Sequence, residues 1–262
     1  MYLLYIITTL SFINCVHTSS ADATIQTGDV STVDMLDFDQ GLHWRCITDR
    51  GALHIWVPFE YEERGAGVVL YVHGYAVNVD EAWRDYGLAR QFRMSQRNAV
   101  FILPEAPKGK ADEVSWPSLQ DLRAEVKRCG FNLPRGPWVA MGHSAAYRTL
   151  KRWVRDRYVR CMILLDALYA GQAYFKIFVE RPRTKMILVS TETSEHSLAF
   201  SERFSDTLRY SKLPLAKDLD LKARRARLLY FKSTLTHHEV AASGAVTPRV
   251  LQIIDLPKIR RF

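Results

Sequence analysis

Six short runs of apolar residues recur along the chain between residues 68 and 231. None of them shows the alternating polar positions of a strand that has one solvent-facing side. Uninterrupted runs of about five residues are typical of strands covered on both faces, as in a parallel sheet. The predicted strands cover residues 68–72, 99–103, 138–141, 161–165, 185–189 and 227–231.

Stretches with apolar residues at helical spacing alternate with these strands. Before them, two β-rich runs at 43–48 and 52–58 flank Asp49-Arg50-Gly51, which predicts a β-hairpin. Strands that alternate with helices form βαβ units. The sequence therefore predicts an α/β fold with a mostly parallel central sheet flanked by helices and an N-terminal β-hairpin. The predicted helices cover residues 79–94, 119–129, 145–154 and 247–254.

Composition and charge narrow the class of protein. The 262 residues are 48% hydrophobic and 24% charged, which is ordinary for a globular domain, and we assign residues 41–262 to one such domain. The formal charge is +8, with basic runs at 222–227 and 258–261. These runs indicate either a solvated face or contact with an anionic surface or membrane. The chain lacks zinc-finger cysteine spacing and an RNA-binding signature, so we predict that it does not bind nucleic acid.

The N-terminus has the pattern of a targeting segment. An apolar run over residues 2–16 is followed by small residues and by Ala21-Asp22-Ala23, which fits a signal-peptidase site. We therefore predict a signal peptide over residues 1–23, a linker or arm over 24–40, and export to the periplasm or the medium. No lysine or arginine precedes the apolar run, which leaves an uncleaved membrane anchor as the alternative.

Polar residues follow five of the predicted strands directly or within a few positions. In an open α/β sheet, reactive groups lie at the carboxyl ends of the strands. We therefore expect a functional site at this edge of the sheet. The residues that reach it are His73, Ser144, Asp166, Glu192 and His237.

The segment Gly142-His143-Ser144-Ala145-Ala146 lies between a predicted strand and a predicted helix. It resembles the G-x-S-x-G nucleophile elbow of α/β-hydrolases, with alanine in place of the last glycine. The elbow requires small residues because the turn is sharp, and alanine meets that requirement. The resemblance implies that Ser144 is a nucleophile at the carboxyl end of a strand, with Gly142 and His143 supporting it.

A second segment, His73-Gly74-Tyr75, resembles the HG-x segment that follows the third strand of the same family. Together the two motifs extend the resemblance over roughly residues 65–255. The resemblance implies an oxyanion hole formed by the backbone N–H groups of Tyr75 and Ala145. It implies a structural part for His73, which ends the strand.

The resemblance also places a base after the last strand and an acid between the nucleophile and that base. Thr236-His237-His238-Glu239 offers two histidines, and we favour His237 because it comes first after the strand. For the acid, Asp166 follows one strand and Glu192 the next. We favour Asp166 because aspartate is the commoner acid in such triads, and we keep Glu192 as the alternative.

The resemblance therefore implies a serine hydrolase that cleaves a carboxylic ester through an acyl-enzyme intermediate, without metal or organic cofactor. The expected substrate is a small-molecule or lipid-like ester. Two alternatives remain: an exported amidase or peptidase that acts on cell-envelope material, and an inactive binding protein of the same fold.

The segment 167–182 is short, so we expect a minimal cap over the site. Its aromatic residues are either lid or helix core.

Overall fold

A nine-stranded sheet forms the centre of the computed structural model, which describes residues 40–260. The strand order is β1-β2-β4-β3-β5-β6-β7-β9-β8. Strands β1, β2 and β4 pair antiparallel, and all the other neighbours pair parallel. The strands are β1 Gly41–Thr48, β2 Gly51–Pro58, β3 Gly67–Val72, β4 Ala99–Pro104, β5 Trp138–His143, β6 Val159–Leu165, β7 Lys185–Ser190, β8 Leu208–Tyr210 and β9 Leu228–Lys232.

Helices cover both faces of this sheet and bury one apolar layer on each side. Strands β3, β4 and β5 are buried along their whole length, as their uninterrupted apolar sequences predict. The α-helices are α1 Val79–Asp85, α2 Leu88–Ser95, α3 Leu119–Arg128, α4 Tyr147–Leu150, α5 Gln172–Glu180, α6 Ser194–Ser201, α7 Leu221–Arg225, α8 His237–Ala242 and α9 Thr247–Ile253. Two 3₁₀ helices cover Ser144–Ala146 and Ala216–Asp218.

The predicted α/β class, the hairpin and all six predicted central strands are confirmed. The minimal cap is confirmed as well, since the segment between β6 and β7, which is described throughout, holds α5 as its only helix. The helix predicted over 79–94 is wrong in one respect: Gly87 adopts a φ of 57° and breaks it into α1 and α2. The helix predicted over 145–154 ends early, at Leu150. The short edge strand β8 was not predicted, because three residues give no periodic signal.

The predicted signal peptide over residues 1–23 and the predicted arm, except for Gln40, lie outside the described residues. Export therefore stays a prediction. Within residues 40–260, each helix is too short or too polar to cross a lipid bilayer.

A chain of hydrogen bonds joins the N-terminal hairpin to α1. His43 Nε2 lies 2.8 Å from His54 Nδ1, and His54 Nε2 lies 2.8 Å from Asp80 Oδ1. Arg45 donates two hydrogen bonds to the same carboxylate, at 2.6 and 2.7 Å. The His43 ring stacks on Trp83, with 4.4 Å between the ring centroids. Since the Asp80 carboxylate only accepts, a neutral His54 donates to it and accepts from His43.

We expect the free energy of unfolding to fall as the pH drops from 6.5 toward 4. Burial lowers the pKa of both His43 and His54 from 6.5 to about 4. The unfolded chain then binds protons that the folded chain does not, so the stability is complete above pH 6.5 and is lost below it. For the buried His54 the loss is about 3 kcal/mol.

Urea unfolding at a series of pH values measures this dependence. The variant His54→Gln keeps a neutral donor toward Asp80, so its stability should depend less steeply on pH. The variant His196→Gln changes an exposed histidine and should keep the steep dependence. Equal slopes in the wild type and His54→Gln would contradict this assignment.

Candidate active site

Ser144 follows the last residue of β5 and adopts a φ of 56°, which is strained for a residue other than glycine. A Cβ atom on Gly142 would lie 2.5 Å from the Ala146 Cβ and 2.7 Å from the Val72 carbonyl oxygen. The turn therefore requires glycine at 142 and leaves little room beyond a methyl group at 146. The strand, the sharp turn and the 3₁₀ helix that follows have the form of a nucleophile elbow.

The segment after β3 packs directly against this elbow. A Cβ atom on Gly74 would lie 2.8 Å from the Ser144 Cβ and 3.2 Å from the His143 carbonyl oxygen. The next residue, Tyr75, has a backbone N–H without a backbone partner among the described residues. After it, Ala76 adopts a φ of 67°. The loop thus brings a free backbone donor beside the serine.

His73 is buried beneath this loop rather than facing solvent. Its Nδ1–H donates to the Gly74 carbonyl oxygen at 2.8 Å. Its Nε2 lies 3.0 Å from both the Glu105 carboxylate and the Ala106 backbone nitrogen. These contacts fix the loop after β3 to the loop after β4. No motif in the sequence indicates Glu105.

His237 is the first residue of α8. A capping box formed by Thr236 and Glu239 begins the helix at this point, directly after the loop that follows β9. Thr236 accepts a hydrogen bond from the Glu239 N–H, and the Glu239 carboxylate accepts one from the Thr236 N–H. Because this reciprocal pair fixes the first turn, the His237 backbone is held at a set position after β9.

Asp166 follows β6 and makes the shortest polar contact with His237. Its Oδ2 lies 2.6 Å from His237 Nδ1. The same carboxylate accepts hydrogen bonds from the backbone N–H groups of Thr191, Glu192 and Thr193 and from the Thr193 hydroxyl, at 2.8 to 3.2 Å. Burial works to raise the pKa of Asp166, but the hydrogen bonds from His237 and Thr193 outweigh it and hold the pKa well below its usual range.

The two alternative residues lie in less suitable places. Glu192 is 60% exposed, and its Oε2 lies 3.8 Å from His237 Nδ1, beyond hydrogen-bond distance. It accepts a hydrogen bond from the Tyr169 hydroxyl at 3.0 Å. His238 contacts the ring of Tyr86, with 5.7 Å between centroids. The geometry therefore favours Asp166 and His237 as the paired acid and base.

His143, beside the serine, joins the elbow to the histidine. Its Nε2–H donates to the His237 carbonyl oxygen at 2.9 Å, and the two rings lie 4.4 Å apart between centroids. Burial and the nearby His237 lower the pKa of His143 to about 4. A neutral His143 adds no positive charge beside His237, and it holds α8 against the end of β5.

Comparisons with known proteins identify the fold that carries this site. No protein-family model matches the sequence, and no curated protein matches it significantly. A mutant of the feruloyl esterase module from Clostridium thermocellum, complexed with sinapinate, superimposes with a TM-score of 0.58 at 10% identity over 86% of this chain and 92% of that one. The chain has the α/β-hydrolase fold.

Two further structures with this fold are similar. The fluorophosphonate-binding serine hydrolase F (FphF) of Staphylococcus aureus, with bound substrate, gives a TM-score of 0.53 at 10% identity, over 82% of this chain and 98% of that one. The Francisella virulence factor BioJ gives 0.52 at 13% identity, over 83% of both chains. Strands β5, β6 and β9 run parallel in one sheet, so Ser144, Asp166 and His237, which follow them, lie at the same edge.

An arginine that the sequence analysis did not single out fixes the loops around this α/β-hydrolase site. Arg148 Nη1 donates to the Tyr75 hydroxyl at 2.7 Å and to the Gly109 carbonyl oxygen at 3.0 Å, and Nη2 donates to the Asp112 carbonyl oxygen at 2.6 Å. The signal was its spacing: it lies four residues after Ser144, on the same helical face.

The aromatic side chains of the short cap lie in two different environments. Phe175 and Phe178 of α5 are fully buried and belong to the core. Tyr169 and Tyr174 are exposed, and Tyr169 lies at the site, with its hydroxyl 3.4 Å from His237 Nδ1. The aromatic residues of 167–182 thus divide between helix core and site rim.

Asp166, Glu192 and His237 are the group of described residues whose spacing could also suit a metal ion, with ligand atoms within 4.8 Å of one another. Two ligands of a tetrahedral ion with bonds of about 2.0 Å lie about 3.3 Å apart. The 2.6 Å between His237 Nδ1 and Asp166 Oδ2 is shorter and fits an N–H···O hydrogen bond. The absence of a metal or cofactor requirement stays a prediction.

Proposed function

We propose that this chain is a serine hydrolase that cleaves carboxylic esters, with Ser144, His237 and Asp166 as nucleophile, base and acid. The observation that carries the proposal is the 2.6 Å contact between His237 Nδ1 and Asp166, next to the strained Ser144, whose neighbour His143 contacts the His237 carbonyl oxygen. Because the Asp166 carboxylate only accepts, His237 Nδ1 must carry the proton. Nε2 is then the basic nitrogen that a serine hydroxyl requires.

The reaction proceeds in two halves. Ser144 Oγ attacks the ester carbonyl carbon while His237 Nε2 takes its proton, and Asp166 stabilises the imidazolium. The backbone N–H groups of Tyr75 and Ala145 stabilise the oxyanion. As the intermediate collapses, His237 returns the proton to the leaving alcohol. A water molecule, deprotonated by His237, then attacks the acyl enzyme and releases the carboxylic acid and Ser144.

The esterase neighbours support an ester as the substrate, because a feruloyl esterase module superimposes on most of this chain. The superposition supports the fold, but at 10% identity it does not indicate which acyl group the ester carries. The open rim of Tyr169 and Tyr174 offers aromatic surface to the acyl or alcohol part.

Labelling with a fluorophosphonate probe tests the proposal. The probe phosphonylates an activated serine with loss of fluoride, so we expect the wild type to label and both Ser144→Ala and His237→Ala to fail. Ser211→Ala, which changes an exposed serine, should label like the wild type. Circular dichroism checks that every variant is folded. A folded wild type that neither labels nor cleaves esters would overturn the proposal and favour a binding protein. Labelling with cleavage of amides alone would favour the amidase alternative.

A further inference from the structure

The residues after the nucleophile divide sharply between two faces. Ser144, Tyr147, Arg148 and Lys151 are all partly exposed, whereas the intervening residues are buried. Their spacing of three, four and seven residues places them on one helical face. The Lys151 N–H donates to the Tyr147 carbonyl oxygen at 3.0 Å, so the helical path continues to Lys151. The buried residues are Ala145, Ala146, Thr149 and Leu150.

A row of aromatic rings connects His237 with Lys151. The Tyr169 ring lies 6.1 Å from the His237 ring and 6.4 Å from the Tyr147 ring, measured between centroids. The Lys151 Nζ lies 5.9 Å from the centroids of both Tyr147 and Tyr174. Lys151 therefore stands at the far end of the rim that begins at the proposed base.

The two cations of this face have no carboxylate partner among residues 40–260. Arg148 donates to one hydroxyl and two carbonyl oxygens, all of which are neutral. The Lys151 ammonium lies over the faces of two tyrosine rings. At the other end of the rim, Asp166 and Glu192 are acidic. The site is thus negative beside His237 and positive beside Lys151, a polarity that orients a charged substrate.

We propose that Lys151 determines specificity by binding a carboxylate carried by the ester substrate. This inference rests on the proposed function. Seven residues of 3₁₀ and α-helix separate Ser144 from Lys151, a rise of about 10 to 12 Å, so a substrate that reaches both would carry its carboxylate at about that distance from the reacting carbonyl. Arg148, which is already bonded to three oxygens, fixes the loops and adds to the positive potential. The tyrosine rings line the intervening length of the substrate.

Pairs of esters that differ only in charge test this inference. One series consists of 4-nitrophenyl monoesters of adipic, suberic and sebacic acid, each compared with its methyl-capped diester. A second series carries the carboxylate on the alcohol part, as acetates of ω-hydroxy acids and their methyl esters. We expect at least one series to show a ratio of kcat/KM, anionic over neutral, of about fivefold, the upper range for a partly exposed ion pair. The ratio should increase with chain length and decline toward one in high salt.

The variant Lys151→Met keeps the aliphatic part of the side chain, which runs beside Gly171. Its ratio should fall to about one, and that of Lys151→Glu below one. The matched control is Lys127→Met, in the last turn of α3, which returns toward the opposite edge of the sheet and should retain the wild-type ratio. If the Lys151 variants fail to fold, a wild type whose ratio is about one, or does not change with salt concentration, would still overturn the inference.

The outcomes separate the two proposals. A protein that cleaves the neutral and anionic esters of both series equally well would overturn this inference and leave the esterase proposal intact. An anionic preference that persists in Lys151→Met would also overturn it. A protein that cleaves no ester and takes no fluorophosphonate label would overturn the proposed function itself.

Discussion

Replacing Asp166 with asparagine should lower kcat for ester hydrolysis by about 10⁴-fold. The amide oxygen of the new side chain can still accept the hydrogen bonds from Thr191 and Thr193, whereas its NH₂ group would face His237 Nδ1. Since that group donates, His237 must accept at Nδ1 and carry its proton on Nε2. The imidazole is then in the wrong tautomer to take a proton from Ser144. Steady-state kinetics on a 4-nitrophenyl ester measures the effect.

The fold should survive this substitution. Asp166 has a φ of 47°, and asparagine tolerates that conformation better than most residues. Glu192→Gln is the matched control, because its carboxylate lies 3.8 Å from His237 Nδ1 and an amide oxygen can still accept from Tyr169. We expect that variant to keep kcat within a few-fold of the wild type. A large loss in Glu192→Gln with activity retained in Asp166→Asn would assign the acid to Glu192.

Gly74→Ala should lower kcat by about 10² to 10³-fold. The added Cβ would lie 2.8 Å from the Ser144 Cβ and 3.2 Å from the His143 carbonyl oxygen, so the loop after β3 must move away from the elbow. The next N–H in that loop, from Tyr75, is the proposed oxyanion donor. Its displacement affects the transition state more than the bound ester, so kcat should fall while KM changes little.

The variant Tyr75→Phe distinguishes the contribution of the Tyr75 backbone N–H from that of its side-chain hydroxyl. The variant keeps the N–H group and loses only the hydroxyl that accepts a hydrogen bond from Arg148 at 2.7 Å. We expect kcat within about tenfold of the wild type, because the lost hydrogen bond from the Arg148 guanidinium holds a loop rather than the reacting atoms, and Arg148 keeps its bonds to the Gly109 and Asp112 carbonyl oxygens. If Tyr75→Phe lost as much activity as Gly74→Ala, the side chain rather than the backbone would be the important donor.

The strands could be predicted because burial on both faces leaves an uninterrupted apolar run, and this signal is local in the sequence. The nucleophile segment could be found for a similar reason, since a sharp turn after a buried strand restricts residues 142–146 to small side chains and one serine. The break between α1 and α2 was missed because a single glycine inside an amphipathic pattern usually continues the helix. Only the φ of Gly87 shows that it does not.

The choice of acid shows where sequence reasoning ends. Asp166 and Glu192 both follow strands that end at the same edge, and a carboxylate at either position suits the chemistry. The distances to His237, 2.6 and 3.8 Å, depend on how the loop over residues 191–193 folds onto Asp166. The contacts of Arg148 and Tyr169 could not be predicted, because their partners come from distant loops. Contacts of that kind have no periodic signature in one sequence.

The strained backbone at Ser144 places stability and activity in conflict. Ser144 holds a positive φ that glycine adopts freely, at a cost on the order of 1–3 kcal/mol. A chain selected for thermal stability alone would gain from glycine at this position and would lose the proposed nucleophile. Asp166 also has a positive φ, but glycine there would leave the N–H groups of Thr191 and Thr193 without their acceptor. In an engineered library of this protein, we therefore expect the most heat-resistant members to be enriched in inactive ones, unless position 144 is held constant.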